Sequence, residues 1–427
     1  MNEYDSNRIY DLANEINYKK TNSLKDADCY VLNTCHIREK ATDKVYHDIG
    51  RVKKEFRNKK KPIVIVTGCV AQAEGEILLK QEKYIDAVIG PQSYQDFKKT
   101  ILDLERNHKR MNYTEFEVIE KFDKLNVTKS SQSSVSSLLT IQEGCDKFCK
   151  FCVVPYTRGP EYSRSIKELI IETKELVNNG AKEIILLGQN VNAFNSHGRK
   201  LSDLIYEISN IKDLKRIRYT TSHPLDFSED LVSAHGNFEK LMPLIHLPVQ
   251  SGSSQILKKM NRKHDIDYYL NLIEKLKETN SLIKFSSDFI IGYPGETDED
   301  FNQTIRLLKS VGFINSYSFI FSPRLGTPAA KMKLLDDKIC KERLIIFQKI
   351  AAEIKMEYRK GLFKKKAQVL FENRVNDTDS FFGRDKFNNS VIVKSKENLI
   401  GELRNVFITN GNQNTLKGEI INSEINK

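Results

Sequence analysis

The sequence predicts an α/β chain in three parts: a small parallel α/β amino-terminal domain, a partial (β/α)6 barrel and a small antiparallel β-barrel at the carboxyl end. Three observations predict it. Short apolar runs alternate with charged segments of helical length in two series, from Ala27 to about Gly90 and from Leu138 to Ile320. A polar stretch, Ser130-Ser131-Gln132-Ser133-Ser134, separates them. Near residue 366 the texture changes to short alternating strands punctuated by Asn, Gly and Asp. A length of 427 residues agrees, being too great for one ordinary core.

In the first series, Cys29-Tyr30-Val31-Leu32, Ile63-Val64-Ile65-Val66 and Ile85-Asp86-Ala87-Val88-Ile89 read as buried parallel strands with βαβ spacing. This domain spans 1–105, and 106–137, where the pattern is lost, reads as a linker. The second series, 138–365, supplies six strands: Leu138–Ile141, Glu183–Leu187, Arg216–Tyr219, Leu244–Leu247, Phe285–Ile291 and Ser316–Ile320. Amphipathic stretches such as Ser165–Asn178 alternate with them, as an open (β/α) barrel requires. From 366 to 427, the runs Gln368–Phe371, Ser390–Val393 and Leu403–Ile408 predict the terminal barrel. It begins beside Lys364, Lys365 and Lys366, which with Arg374 are candidate RNA contacts; a solvated linker reads the lysine run as well.

The bulk numbers narrow the function classes. A formal charge of +11 suits a polyanionic partner, with RNA first, because basic patches gain affinity by releasing condensed counterions; a merely lysine-rich surface reads the same number equally well. No run of about 18 apolar residues occurs, so no membrane segment is expected, and the chain reads as cytoplasmic and monomeric. Seven cysteines are too few for a disulfide scaffold, and in a reducing compartment clustered cysteines read as metal ligands.

The strongest local signal is Gly144-Cys145-Asp146-Lys147-Phe148-Cys149-Lys150-Phe151-Cys152. A Cys-x3-Cys-x2-Cys triplet holds three irons of a [4Fe-4S] cluster and leaves the fourth without a protein ligand. S-adenosyl-L-methionine can chelate that iron through its amino and carboxylate groups, and an electron then breaks a sulfur–carbon bond to give a 5′-deoxyadenosyl radical. A zinc loop is the other reading, but zinc prefers four closed ligands and no fourth Cys or His lies close by in sequence. Cofactor or substrate contacts are expected from Phe151, beside the last cysteine, and from Gln189, Gln250 and Asp288 on barrel strands or just after them. Ordinary core packing or strand-to-helix turns read each of these equally well.

Cys35 and Cys69 each end a predicted strand of the first domain, which places both at one edge of a parallel sheet, where open α/β folds hold ligands. Two thiolates can hold part of a second cluster, one ligand short of a conventional site. Cys29 lies inside a strand and Cys340 inside a charged helical stretch, and both read as buried and inert.

Taken together, Met1-Asn2-Glu3-Tyr4-Asp5-Ser6, Asn33-Thr34-Cys35-His36-Ile37-Arg38-Glu39-Lys40-Ala41, Cys152-Val153-Val154-Pro155-Tyr156-Thr157-Arg158-Gly159 and Gly188-Gln189-Asn190-Val191-Asn192 resemble the radical SAM methylthiotransferases. Within these they resemble the tRNA-2-methylthio-N6-dimethylallyladenosine synthase branch, and the resemblance covers nearly the whole chain. It implies an amino-terminal cluster domain, a radical SAM barrel and a TRAM-type barrel that helps hold RNA. The implied reaction adds a methylthio group to carbon 2 of N6-dimethylallyladenosine at tRNA position 37. It consumes two molecules of S-adenosyl-L-methionine, one as methyl donor and one as radical source. Two [4Fe-4S] clusters are implied, one on Cys145, Cys149 and Cys152 and one on Cys35 and Cys69, together with an electron donor and a sulfur donor that the sequence does not identify. Family members carry a Gly-Cys-Gln ahead of the segment like Met1-Asn2-Glu3. That third ligand of the amino-terminal cluster is missing from these residues, and a start codon assigned too late is the expectation. Two other readings stay open: methylthiolation of another substrate, such as a ribosomal-protein aspartate or threonylcarbamoyladenosine in tRNA, and an iron-sulfur RNA-binding protein without turnover.

Overall fold

The computed structural model describes residues 1–35, 40–114, 134–376 and 378–421. Most of the expected linker, 115–133, lies outside the described residues, as do 36–39 of the motif that follows Cys35. The described residues form two compact units. One gathers those of Met1–Ser131, Glu143–Arg164 and Ser322–Ala330, and the other those of Gln132–Gln142, Ser165–Phe321 and Lys331–Lys427.

In the first unit four parallel strands lie in the order of the chain: β1 (Cys29–Thr34), β2 (Ile63–Gly68), β3 (Ala87–Ile89) and β4 (Met111–Tyr113). Val64, Val66 and Val88 turn to one face, where α2 (Lys40–Glu55) and α3 (Cys69–Gln81) bury Val45, Ile49, Val52, Val70 and Leu78. Ile65, Ala87 and Ile89 turn to the other, against Ile9 and Leu12 of α1 (Asn2–Asn14) and Phe97, Ile101 and Leu104 of α4 (Phe97–Asn107). A strand buried on both faces reads as a continuous apolar run, which is why β2 is legible in sequence. Residues 106–113, expected as linker, instead finish α4 and supply β4, whose Met-Asn-Tyr is too short and too polar to announce a strand.

In the second unit six parallel strands form an open arc. One triple comprises β5 (Ser136–Thr140), β6 (Glu183–Leu187) and β7 (Arg216–Thr220), with β6 in the centre. The other comprises β8 (Leu244–His246), β9 (Lys284–Ile291) and β10 (Asn315–Ile320), with β9 in the centre. A parallel bridge, Ile217 to Leu241, joins the triples. Helices α5 (Ile166–Asn178), α6 (Leu201–Ser209), α7 (Glu229–Asn237), α8 (Ile266–Thr279) and α9 (Asp298–Val311) bury their apolar stripes on the outside of the arc. This is the partial (β/α)6 barrel expected.

Helix α10 (Asp337–Lys360) leads into a closed barrel of β11 (Lys366–Val375), β12 (Ser380–Asp385), β13 (Ser390–Lys394), β14 (Leu403–Gly411) and β15 (Leu416–Ile420). This is the small antiparallel barrel expected, with one parallel pair, β13 with β15. β14 intervenes in the chain and returns it to the far edge, and closure there requires a parallel pair. β12 and β15 escape the sequence reading because each carries a glycine. A Cβ at Gly383 would meet the Leu370 carbonyl oxygen at 2.4 Å, and one at Gly418 the Val406 side chain at 2.4 Å, so the small barrel closes only without them. Two buried arginines of β7 grip this barrel by its backbone. Arg216 donates to the carbonyls of Arg384 and Gln368, and Arg218 donates to those of Asp385 and Lys386 while pairing with Glu183 at 2.8 Å.

Candidate metal centre

The pairing register of β1 and β2 builds the first half of the site. Thr34 lies opposite Gly68, so the next residues, Cys35 and Cys69, leave two strands about 4.8 Å apart at the same carboxyl edge. Thr34 Oγ1 donates to the Thr67 carbonyl at 2.5 Å and locks the strand ends together. Gly68 has φ +91°, and a Cβ there would meet the Thr34 carbonyl oxygen at 2.2 Å, so only glycine permits this approach. Cys69 opens α3. Cys29 sits at the opposite end of β1, paired with Ile63, and its thiol is pushed up to about 12 by burial, with Asp86 adding. Cys340 is buried against Gly292, and burial raises its thiol as well.

The second half is the loop that follows β5 in the chain. Gly144 has φ +77°, and a Cβ there would lie 1.8 Å from the Pro160 carbonyl oxygen. The loop therefore closes on itself: Cys145 N–H donates to the Gly159 carbonyl at 3.1 Å, and Cys152 N–H to that of Cys149 at 2.9 Å. Cys149 is buried, while Cys145 and Cys152 are half-buried. Burial pushes the Cys145 thiol up to about 12, a backbone hydrogen bond from Lys147 opposes it, and Cys152, Glu161 and Cys149 add to it. Three thiols that repel one another's charge in a half-buried loop suit iron ligation, which relieves that repulsion. Among the described residues no group of three His, Cys, Asp or Glu side chains could hold a metal ion. Thiolates that each bind a different iron of a cube do not need that closeness, so the triplet fits a cluster by its donors and spacing.

Phe151 is half-buried in the turn, whereas Phe148, with φ +47°, is exposed and edge-on to the likewise exposed Tyr156 at 6.3 Å. In the other unit, Gln189 follows β6, and Gln250 pairs with Phe289 at a φ of +76°, a conformation costly outside glycine. Asp288 lies on β9 opposite Tyr317, with its carboxylate 3.4 Å from His246 Nε2. The sequence reading missed a polar network at these strand ends: Gln142 accepts from Asn190 N–H, Asn190 donates to Asp226, and Asn192 and His223 exchange two hydrogen bonds. The motif Gly188-Gln189-Asn190-Val191-Asn192 carried that signal. Lys364, Lys365 and Lys366 are exposed at the start of the small barrel; Arg374 is exposed but bound to the Thr378 carbonyl and Asp379.

Arg158 was also missed. It is fully buried in the loop behind the cysteine triplet and reaches Cys69, with Nε 3.4 Å from the sulfur. Its Nη2 donates to Asp5 at 2.6 Å, its Nη1 lies 3.8 Å from Glu143, and Gln92 holds its carbonyl at 2.7 Å. Burial opposes the charge, but Asp5, Cys69 and Glu143 more than offset that and hold the guanidinium firmly protonated.

A profile of the radical SAM superfamily matches residues 139–308, and one described as uncharacterized protein family UPF0004 matches residues 1–90. The chain is 56% identical over 431 residues to the tRNA-2-methylthio-N(6)-dimethylallyladenosine synthase of Pelagibacter ubique (strain HTCC1062), covering 100% of this chain and 97% of that one. It is 45% identical over 433 residues to the synthase of that name from Rickettsia typhi (strain ATCC VR-144 / Wilmington), covering 99% and 97%. Among solved structures, the radical S-adenosylmethionine methyltransferase TsrM from Kitasatospora setae shares the fold, with a TM-score of 0.54 and 14% identity over 75% of this chain and 66% of that one. On this full-length likeness, the chain belongs to the tRNA-2-methylthio-N(6)-dimethylallyladenosine synthase family of the radical SAM superfamily.

Proposed function

We propose that the chain adds a methylthio group to carbon 2 of N6-dimethylallyladenosine at tRNA position 37. One observation carries this reading: full-length likeness to synthases of that name, in a chain whose Cys35 and Cys69 lie side by side at one sheet edge and whose Cys145, Cys149 and Cys152 share one closed loop. Cys145, Cys149 and Cys152 would hold a [4Fe-4S] cluster with an iron left open for S-adenosyl-L-methionine, and Cys35 and Cys69 would give two ligands to a second cluster. When bound, the first cluster and S-adenosyl-L-methionine supply the radical chemistry that an inert aromatic C–H demands, and the second carries sulfur.

The remaining work falls to the protein's own residues. The closed loop of Gly144–Gly159 would present the three thiolates to one cluster, with Cys149 buried and Cys145 and Cys152 half-buried. Gln189, Gln250 and Asp288 would orient cofactor or substrate at the barrel strands, with Phe151 beside the last cysteine. Lys364, Lys365, Lys366 and Arg374 would meet tRNA phosphates, in keeping with a charge of +11. An electron donor and a sulfur donor complete the reaction, and the chain works as a cytoplasmic monomer. Among the described residues, no helix is long and apolar enough to cross a membrane.

The test is mass spectrometry of tRNA nucleosides from cells that lack their own methylthio enzyme and receive this gene. Appearance of 2-methylthio-N6-dimethylallyladenosine is expected. If a soluble, iron-loaded protein leaves N6-dimethylallyladenosine unchanged, the substrate is a different one.

A further inference from the structure

The concave side of the arc carries aromatic side chains that the reaction above leaves without a task. Along β8, β9 and β10 successive residues alternate between two faces. Ile245, Phe285, Phe289 and Ile291 turn outward into the apolar core. His246, Ser286, Asp288, Ile290, Tyr317 and Phe319 therefore share the inner face, and the register sets them in rungs: His246 beside Ser286, Asp288 beside Tyr317 and Ile290 beside Phe319. Inner positions of a (β/α) barrel are ordinarily packed. Here Tyr317 is 50% and Phe319 36% exposed.

The polar groups around this open aromatic pair are held in place. The His246 ring meets Tyr317 edge-on with centroids 6.0 Å apart, its Nδ1 lies 3.0 Å from Ser286 Oγ, and its Nε2 lies 3.4 Å from the Asp288 carboxylate. Gln250, at φ +76°, fixes the backbone of the same rungs: its N–H donates to the Asp288 carbonyl at 3.0 Å, and its carbonyl accepts from Ile290 N–H at 2.9 Å. The Asp288 side chain keeps 33% of its surface open, and an ionised carboxylate only accepts hydrogen bonds.

An enzyme that works on one base takes it out of its stack, and a base so freed is held by stacking on aromatic rings and by hydrogen bonds to its edge. An adenine with one N6 substituent suits this face. Its ring can stack on Tyr317, its single N6–H can donate to Asp288, and its alkyl group can pack on the rung of Ile290 and Phe319. We propose that the inner face of β8, β9 and β10 is the docking site of the substrate base, an N6-alkylated adenine turned out of the tRNA loop, with Tyr317 stacking on its ring and Asp288 reading its N6–H. The inference rests on the reading that N6-dimethylallyladenosine in tRNA is the substrate, and it assigns the residues that recognise that base.

The experiment measures binding of the full chain to fluorescent anticodon stem-loops by anisotropy at one fixed salt concentration, so that no turnover is needed. The loops differ only at position 37, which carries N6-dimethylallyladenosine, adenosine, or an N6-methyl-N6-dimethylallyl derivative without an N6–H. Tyr317→Leu keeps the bulk and removes the ring, and it is expected to weaken binding of the dimethylallyl loop about tenfold, as loss of one base–aromatic stack does. Tyr317→Phe keeps the ring and is expected to bind as the parent does, as is Tyr206→Leu, which changes a similarly exposed tyrosine on α6. Removing the N6–H is expected to weaken binding about tenfold in the parent and to make no difference in Asp288→Ala. Parent-level binding by Tyr317→Leu, or an N6–H penalty that survives Asp288→Ala, overturns the inference, and the second comparison decides alone if Tyr317→Leu does not fold. A parent that binds the adenosine loop as tightly as the dimethylallyl loop overturns the substrate reading and this inference with it, before any variant is compared, so the two failures are distinguishable.

Discussion

The two groups of cysteines reach their positions by different physics. In the triplet loop, spacing along the chain does the work: three thiols within eight residues, closed by Gly144 and by a backbone hydrogen bond from Cys145 to Gly159. At the sheet edge, Cys35 and Cys69 are far apart in sequence, and the parallel register that sets Thr34 opposite Gly68 makes them neighbours. A local motif survives loss of its surroundings better than a site made by register, because a one-residue slip in pairing turns a strand's side chains to the other face. The sheet-edge site is therefore the one that depends on the fold around it, and Arg158, Asp5 and Gln92 belong to that dependence.

Substituting either group separates their chemistry, and the largest effect is expected at the triplet. Alanine at any one of Cys145, Cys149 or Cys152 is expected to abolish 5′-deoxyadenosine formation, measured by chromatography of the reaction with S-adenosyl-L-methionine and reductant. Next comes Cys69→Ala. It is expected to remove the methylthio product and most of one cluster's iron while 5′-deoxyadenosine still forms, whereas Cys29→Ala leaves iron content at the wild-type level. The comparison breaks if Cys69→Ala also stops 5′-deoxyadenosine.

Glycine substitutions probe the same contrast through the backbone. Gly68→Ala and Gly144→Ala each force a side chain onto a carbonyl oxygen at a positive φ, at a cost of about 1–3 kcal/mol. Iron analysis after purification should show Gly144→Ala depleting the triplet cluster and Gly68→Ala the sheet-edge cluster, and equal depletion of both by either change would erase the distinction. The smallest effect belongs to Gln92→Ala, which frees the buried Arg158 carbonyl. A loss of about 1–2 kcal/mol is expected from the urea midpoint, with 5′-deoxyadenosine formation retained.

Much of this architecture was legible because buried parallel strands carry unbroken apolar runs, Ile63–Val66 in β2 and Ile184–Leu187 in β6. The triplet stood out because its three cysteines lie within one short stretch of chain. Strands β12 and β15 were hidden by Gly383 and Gly418, which look like turn residues but make room for crossing strands. Strand β4 was hidden by its length and polarity. Arg158 was hidden for another reason: its partners Cys69 and Asp5 lie 89 and 153 residues away, and no periodicity encodes a contact at that separation. The side-by-side placement of Cys35 and Cys69 followed from the strand ends alone, while the glycine that permits it and the arginine that touches it did not.

One measurement tests the division of labour most directly: a single reaction of reconstituted Cys35→Ala/Cys69→Ala protein with tRNA, S-adenosyl-L-methionine and reductant, in which both 5′-deoxyadenosine and 2-methylthio-N6-dimethylallyladenosine are quantified. Continued 5′-deoxyadenosine without the methylthio nucleoside is the expected result. Methylthio product at the wild-type level would show that the sheet-edge cysteines are not the sulfur site.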